Sequence, residues 1–296
     1  MFMDNKLDYE YVFRTLVALT ASYLNRNNLR TMVLGISGGI DSTVVAAIAN
    51  EVSKENEINF IGRSLPIKNK NDEFSVSKLV GKAFCDDFRT CYLEDSYNKM
   101  LENIVSFEEG VDEFGNPLES KKQTPIANGN IQARLRMIYL YNLASINRGI
   151  VLSTDNQTEY QLGFWTLHGD VGDFNPLFGL WKHEVYELAE WLLTYYAKNS
   201  EEDKYNAIKE SIKLTPTDGL GISNSDLEQI GAKSYSDVDD IFVNTVNVLT
   251  NQDTWTYLYN KYGKEVVEKV WKRHISSTFK RQNLPIVIER RMYEKR

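Results

Sequence analysis

The sequence predicts an α/β protein, a doubly wound parallel sheet with additional helices towards its C-terminal end. Two observations predict it. Short apolar runs alternate with stretches of helical periodicity through the first half of the chain, the pattern of strands joined by crossover helices. The first run, Thr31-Met32-Val33-Leu34, passes directly into Gly35-Ile36-Ser37-Gly38-Gly39-Ile40-Asp41-Ser42-Thr43 and then into Val44, Val45, Ile48 and Ala49 at helical spacing. Glycines and serines therefore sit where a strand turns into a helix, and in an open α/β sheet ligands bind at that end of the strands.

Taken in order, the chain opens with an amphipathic helix over about 7–25, carrying Leu7, Tyr11, Phe13, Leu16, Val17 and Leu24. The strand and helix just described follow. A second strand, Ile58 to Gly62, closes at Ser64-Leu65-Pro66, where a nucleotide base would lie. A helix over about 72–84 leads to a third strand, Arg89 to Leu93, and then to a helix over about 96–105. The polar stretch 108–128, with Gly110, Gly115, Pro117 and Pro125, reads as a mobile loop. A strongly periodic helix over about 130–147 (Ile131, Leu135, Ile138, Tyr139) precedes a fourth strand, Ile150 to Ser153, and a short helix. Residues 199–213 read as a flexible region or a solvated helix, and the last third as helices over about 236–249 and 255–273.

Of the 296 residues, 42% are hydrophobic and 25% charged, enough for a full core and ordinary for a soluble chain. The net charge of −7 makes the molecule a poor electrostatic match for nucleic acid. Locally the segment 272–296 is basic, with Lys272, Arg273, Lys280, Arg281, Arg290, Arg291, Lys295 and Arg296. Cys85 and Cys91 form no metal-ligand pattern and read as free thiols in a reducing compartment. The N-terminus has no apolar leader core, and no run is long enough to span a bilayer. A cytoplasmic protein without membrane or nucleic-acid partners is the expectation.

The Ser37–Thr43 turn is suited to an anion. A helix start offers unpaired N–H groups and the positive end of a dipole, while Gly38 and Gly39 allow a close backbone approach. Ser37, Ser42 and Thr43 add hydroxyls. Common phosphate loops place a Lys before the Ser/Thr; here Asp41 stands there. A carboxylate beside phosphates makes sense when it holds magnesium, which takes carboxylate and phosphate oxygens together.

Ser-Gly-Gly-x-Asp-Ser resembles the pyrophosphate loop of the N-type ATP pyrophosphatases, with their adenine-nucleotide α-hydrolase-like fold. Further motifs follow: Asn130-Ile131-Gln132-Ala133-Arg134, Ser153-Thr154-Asp155-Asn156-Gln157-Thr158-Glu159, Gly163-Phe164-Trp165-Thr166, Gly169-Asp170-Val171-Gly172-Asp173-Phe174-Asn175-Pro176, Leu180-Trp181-Lys182 and Pro216-Thr217-Asp218-Gly219-Leu220. In this order the series is similar to ammonia-dependent NAD synthetase, from the first helix to about residue 285. The resemblance implies one synthetase domain over 1–296, with an ATP-binding core over about 30–185 and a helical part over about 220–285.

That family joins ammonia to the carboxylate of deamido-NAD through an acyl-adenylate, releasing AMP and pyrophosphate. The resemblance implies that ATP is bound by Gly35, Ile36, Ser37, Gly38, Gly39, Ile40, Asp41 and Ser42, with Thr154, Lys182 and Thr217. It implies magnesium on Asp41 and Glu159, with Asp41 and Lys182 carrying the chemistry. It places deamido-NAD against Arg134, Leu167, Asp173, Phe279 and Lys280, in a homodimer. A Lys at the start of a helix opposes the dipole, which favours a functional reason for Lys182. Two positions depart from the family: Leu167 where a Lys is usual, and Phe279 where a His is usual. The chemistry is then retained beside an altered dinucleotide pocket. Free ammonia is the expected donor, because neither cysteine sits in the setting of a glutaminase nucleophile. The competing readings are another pyrophosphate-loop adenylating enzyme, such as a tRNA-modifying ligase, and a non-catalytic nucleotide-binding relative.

Overall fold

The computed structural model describes residues 7–67, 71–108, 124–215, 226–246 and 251–282. Helix α1 (Tyr9–Arg26) starts on an Asp8 cap, whose carboxylate accepts the Glu10 and Tyr11 N–H groups. Strand β1 (Thr31–Gly35) leads to α2 (Ile40–Glu55), and β2 (Asn59–Ser64) to α3 (Asn71–Phe84). Strand β3 (Asp87–Thr90) precedes α4 (Glu94–Glu108), α5 (Pro125–Ile146) and β4 (Gly149–Val151). Then come α6 (Gln157–Leu162), α7 (Lys182–Lys198), α8 (Glu202–Lys213), α9 (Asp226–Ile230), α10 (Tyr235–Thr245), α11 (Gln252–Tyr262), α12 (Lys264–Ser276) and a 3₁₀ turn, Thr278–Arg281.

All strand pairs are parallel, in the order β3-β2-β1-β4. The order reverses between β1 and β4, whose chain exits therefore diverge into a crevice. Helices α1, α2, α3, α7 and α8 pack together on one face; α5 covers β1 and β4 on the other, with α4 beside it. The first face holds the main core, where Phe13 has no exposed surface and its ring lies 5.5 Å from that of Trp191. Phe13→Ala is expected to cost about 3–5 kcal/mol, read from urea unfolding. A separate apolar cluster, around Leu162, Val238, Ile241, Phe242 and Val270, joins α6 to α9, α10, α11 and α12.

The four expected strands are present, with the third shifted back to Asp87–Thr90. Of the two expectations for 199–213, a flexible region or a solvated helix, residues 202–213 take the helical one as α8, but Ala207, Ile208 and Ser211 are buried rather than solvated. The helix expected over 255–273 is broken at Gly263, where φ is +86°. Of the stretch expected as a loop over 108–128, Pro125 onward is the first turn of α5, and 109–123 lies outside the described residues. Both cysteines are free thiols.

Candidate active site

The crevice is built from the exits of β1 and β4. Leaving β1, the chain turns at Gly38, whose φ of +91° suits a residue without a Cβ. Ser211 of α8 braces that turn, its hydroxyl donating to the Gly38 carbonyl at 2.7 Å. The N-cap of α2 is Gly39, which supplies no side-chain acceptor, so the first-turn N–H groups are left for an anion. Ser37 and Ser42 meet Oγ to Oγ at 2.9 Å on the rim of the same turn.

Leaving β4, the chain passes Leu152, Ser153 and Thr154 and enters α6 through a reciprocal cap. The Glu159 N–H donates to Asn156 Oδ1 at 3.1 Å, and the Asn156 N–H donates to Glu159 Oε2 at 3.2 Å. Asn156 Nδ2 also donates to Asp41 Oδ1 at 2.8 Å, tying the two exits together. Lys182, the first residue of α7, completes the centre. Its Nζ donates to Asp41 Oδ2 and, at 2.9 Å, to Glu159 Oε1. The lysine is 2% exposed.

One buried cation thus faces two acids, with Asp155 a third acid nearby. Burial alone lowers the ammonium of Lys182, but Asp41 and Glu159 outweigh it and hold the group well above its usual value. The surplus negative charge shows in the acids. Burial, then the charge of Asp41, pushes Glu159 up to about 8. Burial and Asp170 push Asp155 up to about 7, although the Ser153 hydroxyl donates to it at 2.5 Å. Both carboxyls hold protons in the folded state at pH values where the unfolded chain has lost them. Stability is therefore expected to fall as pH rises from about 4 to about 8. Urea unfolding at pH 5.5 and 8 checks the sign, and Glu159→Gln flattens the slope.

Asp173 lies beside the β4 exit. Its N–H donates to the Val151 carbonyl at 2.9 Å, and its carboxylate accepts from Tyr141 of α5 at 2.9 Å. A Cβ on Gly172 would lie 2.6 Å from the Leu152 backbone carbon, so this approach requires glycine. Arg134 is exposed on α5, and its guanidinium donates to the Leu167 carbonyl at 3.0 Å. Lys280 Nζ donates to the carbonyls of Gly163 and Trp165, while Arg281 donates to that of Gln161 at 2.9 Å. These two cations cap the end of α6. Phe279 is 53% exposed. Thr217 and the Pro216–Leu220 motif lie outside the described residues. Within the basic segment Arg273 is likewise turned inward, donating to the Leu162 carbonyl at 2.8 Å and covering the Phe164 ring, whereas Lys272 is exposed.

The structure brings Asp41, Glu159 and Lys182 together and places the Ser37–Ser42 turn beside them. Arg134, Leu167 and Lys280 gather around the 163–167 loop instead. Sequence reasoning gave Asn156 no role, although Asn-x-x-Glu is the signature of a capping box and was available to find it. Thr158 and Asp239 were also missed. Their hydroxyl and carboxylate meet directly but lie 81 residues apart in sequence, with no local signal.

A family described as NAD synthase matches residues 12–284. The NH(3)-dependent NAD(+) synthetase of Thermoplasma acidophilum is 33% identical over 265 residues, 88% of this chain and 91% of that protein. That of Burkholderia cenocepacia is 36% identical over 179 residues, 58% of this chain, and the match spans only 61% of the relative's length. Among solved structures, NMN synthetase from Francisella tularensis superposes with a TM-score of 0.73 at 23% identity, covering 95% of this chain and 99% of its own, which is a likeness of fold. Matched over residues 12–284 and, across 88% of its length, 33% identical to a relative, the chain belongs to the NAD synthase family.

Proposed function

We propose that the chain is an ammonia-dependent NAD synthetase, amidating the nicotinate carboxylate of deamido-NAD at the cost of ATP. One observation carries the reading: buried Lys182 spans Asp41, at the start of the helix behind the Ser-Gly-Gly turn, and Glu159, at the start of the helix behind β4. A carboxylate has no leaving group. Its oxygen attacks the α-phosphorus of ATP, pyrophosphate departs, and ammonia then attacks the acyl carbon as AMP leaves. The turn at Ser37, Gly38, Gly39 and Ser42 receives the pyrophosphate through N–H and hydroxyl donors. Lys182, itself buried, meets the negative charge that builds on the reacting phosphate.

Asp41 and Glu159 fit magnesium: both are oxygen donors, and this ion commonly takes one or two carboxylates together with substrate phosphates. Bound there, it would neutralise phosphate charge and favour departure of pyrophosphate. Lys182 bridges the same two acids. No described helix is long and apolar enough to cross a membrane, and a cytoplasmic homodimer is the proposed working form, which light scattering tests.

A specific observation favours a second reading. Leu167 brings no charge, Arg134 is spent on the Leu167 carbonyl, and Lys280 on two more carbonyls. Cations that the resemblance assigns to a dinucleotide are thereby engaged by backbone, which suits a smaller substrate with one phosphate fewer. The corresponding nicotinate mononucleotide, with NMN as product, is that substrate. Purified protein supplied with ATP, magnesium, ammonium and an equal mixture of both acids tests the two readings by mass spectrometry. NAD formed with AMP and pyrophosphate supports the first; NMN in excess selects the second; neither amide overturns both. Leu167→Lys is expected to lower KM for deamido-NAD about tenfold by restoring a charge-assisted contact.

A further inference from the structure

Asp239 of α10 approaches the site from the C-terminal helical cluster and has no exposed surface. Its Oδ1 accepts from the Thr158 hydroxyl, and its Oδ2 accepts from the His183 backbone N–H at 3.0 Å. The same oxygen lies 2.8 Å from His183 Nδ1. The Thr158 hydroxyl oxygen in turn accepts the Lys182 N–H at 2.8 Å. Lys182 and His183 open α7, where N–H groups have no partner within the helix. The residue before them is Trp181, whose indole offers no acceptor. The acceptors for the Lys182 and His183 N–H groups therefore come from two other helices, α6 and α10, while Glu184 of α7 accepts the Trp181 N–H.

The placement has a consequence for the catalytic centre. Thr158 immediately precedes Glu159, and His183 immediately follows Lys182. One buried carboxylate thus ties the backbone that carries Glu159 to the backbone that carries Lys182. Anchorage alone does not call for it: Val238, Ile241 and Phe242, on the same helix, already have no exposed surface. A buried charge is a weak source of stability, and what it supplies best is a fixed arrangement. With three donors converging on it the charge is well compensated, and those donors belong to the two segments whose separation sets the Lys182–Glu159 contact.

We propose that Asp239 is a positioning residue for the amidation, acting through Thr158 and His183 to hold Lys182 against Asp41 and Glu159. The proposal rests on the synthetase reading above for its kinetic part only. Thr158→Val removes the hydroxyl and keeps the shape, while Thr158→Ser keeps the hydroxyl. Misplacement of a catalytic group by about 1 Å costs up to about 100-fold. Thr158→Val and Asp239→Asn are therefore expected to lower kcat about 10- to 100-fold, with KM for ATP and for the acid substrate within about threefold. Thr158→Ser stays within about threefold of the unaltered chain.

Backbone hydrogen exchange gives a readout independent of any substrate. In Asp239→Asn the amides of Lys182 and His183 are expected to exchange at least tenfold faster, while those in the middle of α7 keep their rates. Exchange quickened evenly along α7, kcat left unchanged, or Thr158→Ser failing as badly as Thr158→Val would each overturn the proposal. If Asp239→Asn does not fold, His183→Gln takes its place, with the same localised exchange expected and the same even pattern refuting it. An unaltered chain that makes no amide sinks the synthetase reading, and exchange alone then decides whether the clamp exists.

Discussion

Lys182→Met is expected to abolish amide formation, with kcat/KM falling about 1,000-fold or more, equivalent to about 4 kcal/mol of transition-state stabilisation. The substitution keeps an unbranched side chain of similar volume, so the socket stays filled, although removing a buried partner of two acids costs about 3–5 kcal/mol of stability. Lost is the only cation that touches both Asp41 and Glu159 among the described residues. Two carboxylates then face the phosphates of ATP without compensation. Lys182→Arg rescues little, because a planar guanidinium cannot occupy a 2%-exposed socket shaped for an ammonium. Steady-state rates with circular dichroism as a folding control check both variants. Activity within tenfold of the unaltered chain would remove Lys182 from the chemistry.

Gly38→Val is the second large effect. At φ +91° a β-branched side chain is strained by about 1–3 kcal/mol. The turn would relax by moving the Gly38 carbonyl away from Ser211 of α8, 2.7 Å from it, and the Ser-Gly-Gly donors with it. ATP affinity is expected to drop at least about 100-fold in calorimetry, while the acid substrate still binds. Gly179→Ala is the control: a Cβ there meets nothing within 4 Å, and affinity is expected to be unchanged.

How much was legible in the sequence follows from how local the signals are. Thr31–Leu34 and the Ser37–Ser42 turn are adjacent in the chain, and their strand-turn-helix reading depends on nothing distant. The start of α7 at Lys182 was readable for the same reason. The contact of Lys182 with Asp41 was not, since it spans 141 residues and exists only because β1 and β4 are neighbours. Helix α8 was read as solvated because its polar residues outnumber its apolar ones. Ala207 and Ile208 are nevertheless enough to seat it against α3 and α7. Lys280 illustrates the opposite difficulty. The family resemblance places it as a cation beside the dinucleotide, yet burial and neighbouring Arg273 lower its pKa, and its ammonium donates to the Gly163 carbonyl at the end of α6. Asp239 gave no signal at all, for a carboxylate in Ser-Tyr-Ser-Asp-Val-Asp-Asp looks like any solvated helix face until tertiary packing buries it.

On the proposed synthetase reading, this centre activates a carboxylate by joining its oxygen to the α-phosphorus of ATP. Acid substrate labelled with oxygen-18 in the carboxylate tests it most directly. One labelled oxygen is predicted to appear in the phosphate of AMP for each amide formed, and no label in pyrophosphate. Label in orthophosphate released with ADP, or amide formed with unlabelled AMP, would contradict it.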